Sequence, residues 1–287
     1  MQVFVTGATG WVGSKLVQEL IGAGHQVTGT ARTDEKAVAL AAIGAQVLRI
    51  TLDDIDALRE AAAASDAVIH TAFNHDFSKF ADNADQDRRV IEAFGSVFEG
   101  SDRPLLVTSG LFGMCRGALE SEVPDPASTR KSDATARVLA LRGVRAACVR
   151  LAPSVHGIGD YGFVPLLIRL ARQTGVSAYL GDGQNCWSAV HLQDAARIYR
   201  LALERGVNEL AYHAVAEEAI PFKAIAEMIG RHLDLPVASR GREHFGWFAM
   251  MAGADMAVSS ARTRDLLGWK PEGPSLLDDL DQASYYA

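Results

Sequence analysis

Cysteine is scarce in this chain: Cys115, Cys148 and Cys186 are the whole complement. The odd count and the lack of C-x-x-C or metal-ligand spacing exclude a disulfide framework. They fit reduced thiols in a cytoplasmic protein. Histidine does not cluster with cysteine, so no metal is expected. No apolar run is long enough to cross a bilayer, and no signal segment precedes the opening strand, so no membrane partner is expected. Positive charge is also in deficit. A net charge of -7 disfavours nucleic acid and anionic membrane surfaces as partners. There is no internal repeat and no low-complexity stretch. What remains is a hydrophobic fraction of 48% over 287 residues, enough for a sizeable core in one large domain or two small ones.

Glycine is placed with purpose at the start. An apolar run, Val3-Phe4-Val5-Thr6, leads into Gly7-Ala8-Thr9-Gly10-Trp11-Val12-Gly13. A helix with Val12, Leu16, Val17, Leu20 and Ile21 on one face follows. In this strand-turn-helix context Gly7 allows the tight turn and Gly10 lets backbone approach a pyrophosphate. Gly13 lets helix pack on strand, and the helix N-terminus offers free N–H groups to phosphate. Gly7, Thr9, Gly10, Trp11, Val12 and Gly13 are therefore expected to bind a dinucleotide.

Strands are expected at Gln2–Thr6, Gln26–Ala31, Gln46–Ile50, Ala67–Ala72, Leu105–Ser109 and Ala146–Leu151. Helices are expected at Trp11–Ala23, Asp34–Ile43, Ile55–Ala64, Asp82–Phe98 and Ser128–Leu141. This alternation, with near-continuous apolar strands, predicts an α/β fold: a Rossmann-type doubly wound parallel sheet with a smaller C-terminal substrate lobe. The nucleotide domain is placed at 1–153, completed by about 187–205. The lobe is placed at 154–186 and 206–287. In the lobe, glycines break up a loop-rich stretch around a helix at Val164–Gln173. A strand at Ser188–His191, a helix at Gln193–Glu204, a strand at Leu210–Val215 and a helix at Phe222–Leu233 follow.

The end of the second strand selects the cofactor. An acidic residue there binds the ribose 2′-hydroxyl of NAD. This chain has Ala31-Arg32-Thr33 instead. A guanidinium suits a 2′-phosphate, so Arg32 and Thr33 predict NADP(H).

Several segments carry a family resemblance over nearly the whole length. They are Thr6–Gly13, Val68-Ile69-His70-Thr71-Ala72, Leu106-Val107-Thr108-Ser109-Gly110, Val149–Gly157, the V-H-x-x-D-A-A segment Val190–Ala196, and Thr263–Trp269. The chain resembles the extended or atypical short-chain dehydrogenase/reductase superfamily, in its epimerase/dehydratase group. The resemblance implies cofactor contacts from Leu52, Ala72, Phe73, Pro153 and Val155. It allows a homodimer through the helices at Asp82–Phe98 and Ser128–Leu141.

The pattern departs from the family in two places. Where an Asp facing adenine is usual, Thr51-Leu52 stands; Asp53 and Asp54 come late and are expected to cap the next helix. Carbonyl-reducing members of the family use a Ser or Thr hydroxyl with a Y-x-x-x-K pair. Here Thr129 falls at the Tyr position and Asp133 at the Lys position. The candidates that remain are Thr108 or Ser109 for the substrate oxygen, His156 or Tyr161 for the proton, and Asp133 for the ribose. His156 could equally be a structural histidine bonded to its loop. Arg130 or Lys131 could enter in place of the missing lysine. His75, Gly110, Phe163, Trp187 and Trp247 are expected near substrate. Asn185 and His191 belong to the same returning segment. The aromatic and methionine-rich stretch Phe245–Met251 favours an apolar or aromatic small molecule over a nucleotide-sugar.

These features predict an NADP(H)-dependent oxidoreductase that reduces a carbonyl, or oxidises the alcohol, with a non-standard proton donor. The alternatives are a non-enzymatic NADP(H)-binding regulator and an epimerase or dehydratase with retained cofactor.

Overall fold

The computed structural model describes residues 1–286. In chain order the first half comprises β1 (Gln2–Thr6), α1 (Trp11–Gly22), β2 (Gln26–Thr30), α2 (Asp34–Ala42), β3 (Gln46–Leu48), α3 (Ile55–Ala63), β4 (Ala67–His70), α4 (Phe80–Phe98), β5 (Leu105–Gly110), α5 (Ser132–Leu141) and β6 (Ala146–Leu151). The second half comprises β7 (Ser154–His156), α6 (Phe163–Thr174), β8 (Ser177–Tyr179), β9 (Cys186–His191), α7 (Leu192–Arg205), β10 (Ala211–Ala214), β11 (Glu217–Pro221), α8 (Phe222–Leu233), β12 (Val237–Ser239), α9 (Arg242–Phe245), α10 (Ala249–Gly253), α11 (Ala261–Leu267) and α12 (Leu276–Leu280).

Seven strands form one parallel sheet in the order β10-β6-β5-β4-β1-β2-β3. β1 is buried on both faces, as its unbroken apolar run requires. Val3 and Val5 join the core packed against α1, α2 and α7. Phe4 faces the other core, with α3, α4 and α5, and meets the Phe94 ring edge-on at 6.0 Å. Each such buried side chain contributes about 1.5–3 kcal/mol. Strand order reverses between β1 and β4, and ligands bind beyond the carboxyl ends of strands at such a switch point.

A third core, built from α6, α8, Trp187, Phe245, Phe248 and the C-terminal residues through Tyr286, forms the smaller lobe. β10 corrects the expected boundary. It pairs with β6 in the large sheet, so 211–214 belongs to the nucleotide domain, together with Leu267 and Trp269 in its core. Four short strands, β7, β8, β11 and β12, lie where no strand is expected. The helix expected from Ser128 begins at Ser132, which leaves Thr129, Arg130 and Lys131 ahead of it.

Asp54 also departs from expectation. It precedes α3, but its carboxylate turns back to accept from Thr51 N at 2.7 Å and Thr51 Oγ1 at 2.8 Å instead of capping the helix. Asp53 accepts from Gln86. The V-H-x-x-D-A-A segment gains a physical role. Asp194 accepts from the backbone N–H of Glu272 and Gly273 and so ties the closing T-R-D-L-L-G-W region to α7.

Candidate functional site

The glycine turn sits at the switch point and has no room for a side chain at Gly7 or Gly13. Gly7 adopts φ +69°, and a Cβ there would lie 2.7 Å from Ala72 N. A Cβ on Gly13 would overlap the carbonyl oxygen of Gly7. Gly10 N donates to Gly7 O at 2.9 Å, which closes the turn. Thr71 Oγ1 donates to Thr6 O, and Thr30 Oγ1 accepts from Gly7 N, so the neighbouring strands hold the turn from both sides. Gly29 on β2 makes the same close approach to Ala8, a requirement that no spacing rule exposes. A cradle of bare backbone at a helix N-terminus fits a dinucleotide pyrophosphate.

Arg32 is exposed at the end of β2. Its neighbour Arg49, which the sequence reading missed, pairs with Asp34 and donates to Arg32 O. Thr33 caps α2, accepting from Lys36 N, so its oxygen is already engaged. Leu52 is half-buried against the α3–α4 core. On the other side of the turn, Trp11 Nε1 donates to Val155 O at 2.7 Å, and the indole meets Tyr161 edge-on at 5.7 Å. Trp11 thereby joins the glycine turn to β7. Pro153 is half-buried between β6 and β7, and Tyr161 is 65% exposed.

A buried polar chain lies beneath the ends of β1, β4 and β5. His70 contacts Thr6 Oγ1 through Nδ1 at 2.6 Å and Asp87 Oδ1 through Nε2 at 3.0 Å. Ser132 donates to Asp87 Oδ2 at 2.5 Å. Arg130 donates to Ser132 Oγ at 2.6 Å and to Thr108 O at 2.9 Å. Burial pushes the Asp87 carboxyl up, but the His70 hydrogen bond and the Arg130 charge outweigh it and hold the group below the usual carboxylate range. Burial pulls the Arg130 guanidinium down from its ordinary value.

The two candidate hydroxyls separate. Thr108 Oγ1 donates to His70 O at 2.9 Å, so its 2.8 Å contact with Tyr199 must be an acceptance. Its single proton is spent inside the protein, and burial raises the Tyr199 phenol far above its usual range. Ser109 makes no side-chain hydrogen bond among the described residues, and Gly110 beside it is exposed.

Three expectations need correction. Asp133 is buried, with Oδ1 held by Arg137 and Oδ2 by Arg150, both at 2.6 Å, so it faces no crevice. His156 is fully buried, its Nδ1 bonded to Asp279 at 2.6 Å, on the lobe side of β7. Its partner is a carboxylate 123 residues away and not the backbone of its own loop. Trp187 is core, donating to Met251 O and packed on Phe222, not a pocket wall. Asn185 likewise bonds the carbonyls of Ala252 and Ala254, and His191 caps α7.

Where the nucleotide domain meets the lobe, the facing side chains are aromatic. Phe73 and His75 meet at 5.4 Å, and His75 and Phe77 at 6.2 Å. Phe77, from the nucleotide domain, stacks on Trp247 of the lobe at 5.0 Å, and Phe163 adjoins it. Phe77 is 42% and Trp247 61% exposed. Burial, helped by the Arg130 charge, lowers the His75 imidazole below its usual value. Among the described residues no group of three or more His, Cys, Asp or Glu could hold a metal ion, and no helix is long and apolar enough to cross a membrane.

Residues 7–146 match a family described as NAD(P)H-binding. An uncharacterized protein of Schizosaccharomyces pombe is 46% identical, over 100% of both chains. A 2-alkyl-3-oxoalkanoate reductase of Stenotrophomonas maltophilia is 31% identical, over 71% of this chain and 66% of that protein. The solved UDP-glucose 4-epimerase of Thermotoga maritima superposes with a TM-score of 0.77 at 19% identity, over 100% of this chain and 98% of that one. The last likeness is one of fold.

Proposed function

We propose that this chain, whose residues 7–146 match an NAD(P)H-binding family, is an NADP(H)-dependent oxidoreductase of the extended short-chain dehydrogenase/reductase type that reduces a carbonyl on a small apolar or aromatic substrate. The observation that carries this reading is the side-chain-free cradle of Gly7, Gly10 and Gly13 at the switch point, with Arg32 on one side and an aromatic cluster on the other. The reductase named among the relatives supports carbonyl chemistry.

Gly7–Gly13 would hold the pyrophosphate, Arg32 and Arg49 the 2′-phosphate, and Ala72, Phe73, Pro153 and Val155 the nicotinamide half. The bound dinucleotide supplies the hydride. Ser109 would donate to the substrate oxygen, since Thr108 has no proton to give. Tyr161, exposed beside Trp11, or His75, exposed between Phe73 and Phe77, would deliver the proton.

NADPH oxidation over a panel of aromatic and aliphatic ketones and aldehydes, with NADH in parallel, tests this. Turnover that favours NADPH is the expected result, with Tyr161→Phe and His75→Phe separating the two donors. Tight NADPH binding with no turnover on any carbonyl would replace the reading with that of a binding regulator.

A further inference from the structure

The aromatic cluster ends on a cation that no assigned role uses. Arg130 lies ahead of α5, and its guanidinium carbon sits 3.6 Å from the centroid of the Phe73 ring. Nε and Nη2 are committed to Ser132 and to Thr108 O, and Asp87 lies 3.8 Å away on the Nε side. Nη1 makes no hydrogen bond among the described residues, and the side chain is 22% exposed. A guanidinium held by two bonds and a ring face, with one nitrogen left over, is a prepared oxygen receptor. Its surroundings are aromatic: Phe73 beneath it, then His75, Phe77 and Trp247 in sequence. Those rings offer stacking surface, and Phe77 and Trp247 come from different lobes, so a ligand there would bridge them.

We propose that this cluster takes a planar aromatic ligand whose oxygen acceptor, a carboxylate, phenolate or ring-conjugated carbonyl, is seated on Nη1 of Arg130, with the ring on the Phe73–Phe77–Trp247 wall. The inference rests on reading this cluster as the substrate site, but not on any reaction in it. In a carbonyl ligand the same guanidinium would meet the oxygen as it gains charge, the task the family gives to its Tyr-Lys pair.

The test is isothermal titration of the full chain, with and without NADP+, using 2-naphthoate and its uncharged counterpart 2-naphthylmethanol. The wild type should bind the carboxylate about tenfold or more tighter than the alcohol, the scale of one charge-assisted bond. Arg130→Met should erase that preference, and Arg130→Lys should keep part of it. Trp247→Leu should weaken both ligands and leave their ratio unchanged. A wild type without the preference would overturn the proposal, as would an Arg130→Met variant that keeps it. Should Arg130→Met not fold, the wild-type preference and the Arg130→Lys ratio still decide. Preference for the carboxylate without any NADPH oxidation would retain the Arg130 site and discard the reductase. An Arg130→Met variant that keeps the carboxylate preference, in a protein that reduces ketones, would discard the Arg130 site and retain the reductase.

Discussion

At the scale of single residues, two glycines on one helix make opposite tests. Gly13 has the Gly7 carbonyl where its Cβ would go, whereas Gly22 has nothing within 4 Å. Gly13→Ala must move the turn, and its NADPH affinity is expected to fall by a factor of about ten or more, read by NADPH fluorescence titration. Gly22→Ala should stabilise α1 by about 0.5–1 kcal/mol in urea unfolding and leave NADPH affinity alone. Equal affinities for Gly13→Ala and wild type would refute the cradle. Asp87 makes a second test, in acid. Its folded pKa is depressed, so it contributes stability above its unfolded value of 3.8, and that contribution is lost as pH falls through the folded pKa. Asp87→Asn removes this titration. The variant should be less stable than wild type at pH 7, and the gap should narrow below about pH 3.8 when both are melted across a pH series. A constant gap would mean that the Asp87 charge plays no part.

At the scale of elements, the proposed preference for NADP(H) is tested at the end of β2. Arg32 stands where NAD-binding chains keep a carboxylate, and Arg49 donates to its carbonyl. Arg32→Glu should lower NADPH affinity by about tenfold to a hundredfold while NADH affinity holds or rises, measured as two dissociation constants. A parallel loss of both would show that Arg32 acts on the loop and not on the phosphate. Much of this level was legible in the sequence. The strand-turn-helix at Val3–Gly13, the strand–helix alternation and α8 at Phe222–Leu233 follow from local periodicity. Three of the four three-residue strands did not, because β7, β8 and β12 are too short to show alternation and exist only through their partners. The polar chain was illegible for a related reason. His70 reaches Thr6 across 64 residues, Ser132 reaches Asp87 across 45 and Thr108 meets Tyr199 across 91, so no spacing records them. Arg130 was visible as a candidate cation, but only packing distinguishes it from Lys131, which bonds the Pro126 carbonyl.

At the scale of the molecule, the nucleotide domain and the lobe communicate through β7. Val155 on this strand accepts from Trp11 of the glycine turn, and His156 next to it is bonded to Asp279 of α12, 123 residues away. The loop after β7 is held from the same end of the chain, since Tyr285 donates to Asp160 at 2.7 Å. Burial raises the Asp160 carboxyl above its usual range. The C-terminal segment therefore fixes the strand that Trp11 grips. Asp279→Ala would leave buried His156 with no partner on either nitrogen, because its Nε2 already has none and Glu217 stands 3.8 Å away. Leaving a buried donor without its acceptor costs about 1–3 kcal/mol. Asp279→Asn keeps an acceptor for Nδ1–H and should lose markedly less. Both variants should unfold earlier in urea, in that order. Asp279→Ala should also bind NADPH more weakly, although Asp279 lies far along the chain from the glycine turn. If Asp279→Ala unfolds at the wild-type midpoint, the pair contributes nothing to the lobe. If it is destabilised but binds NADPH unchanged, β7 does not transmit the C-terminal contact to Trp11, and the lobes are coupled by the aromatic cluster alone.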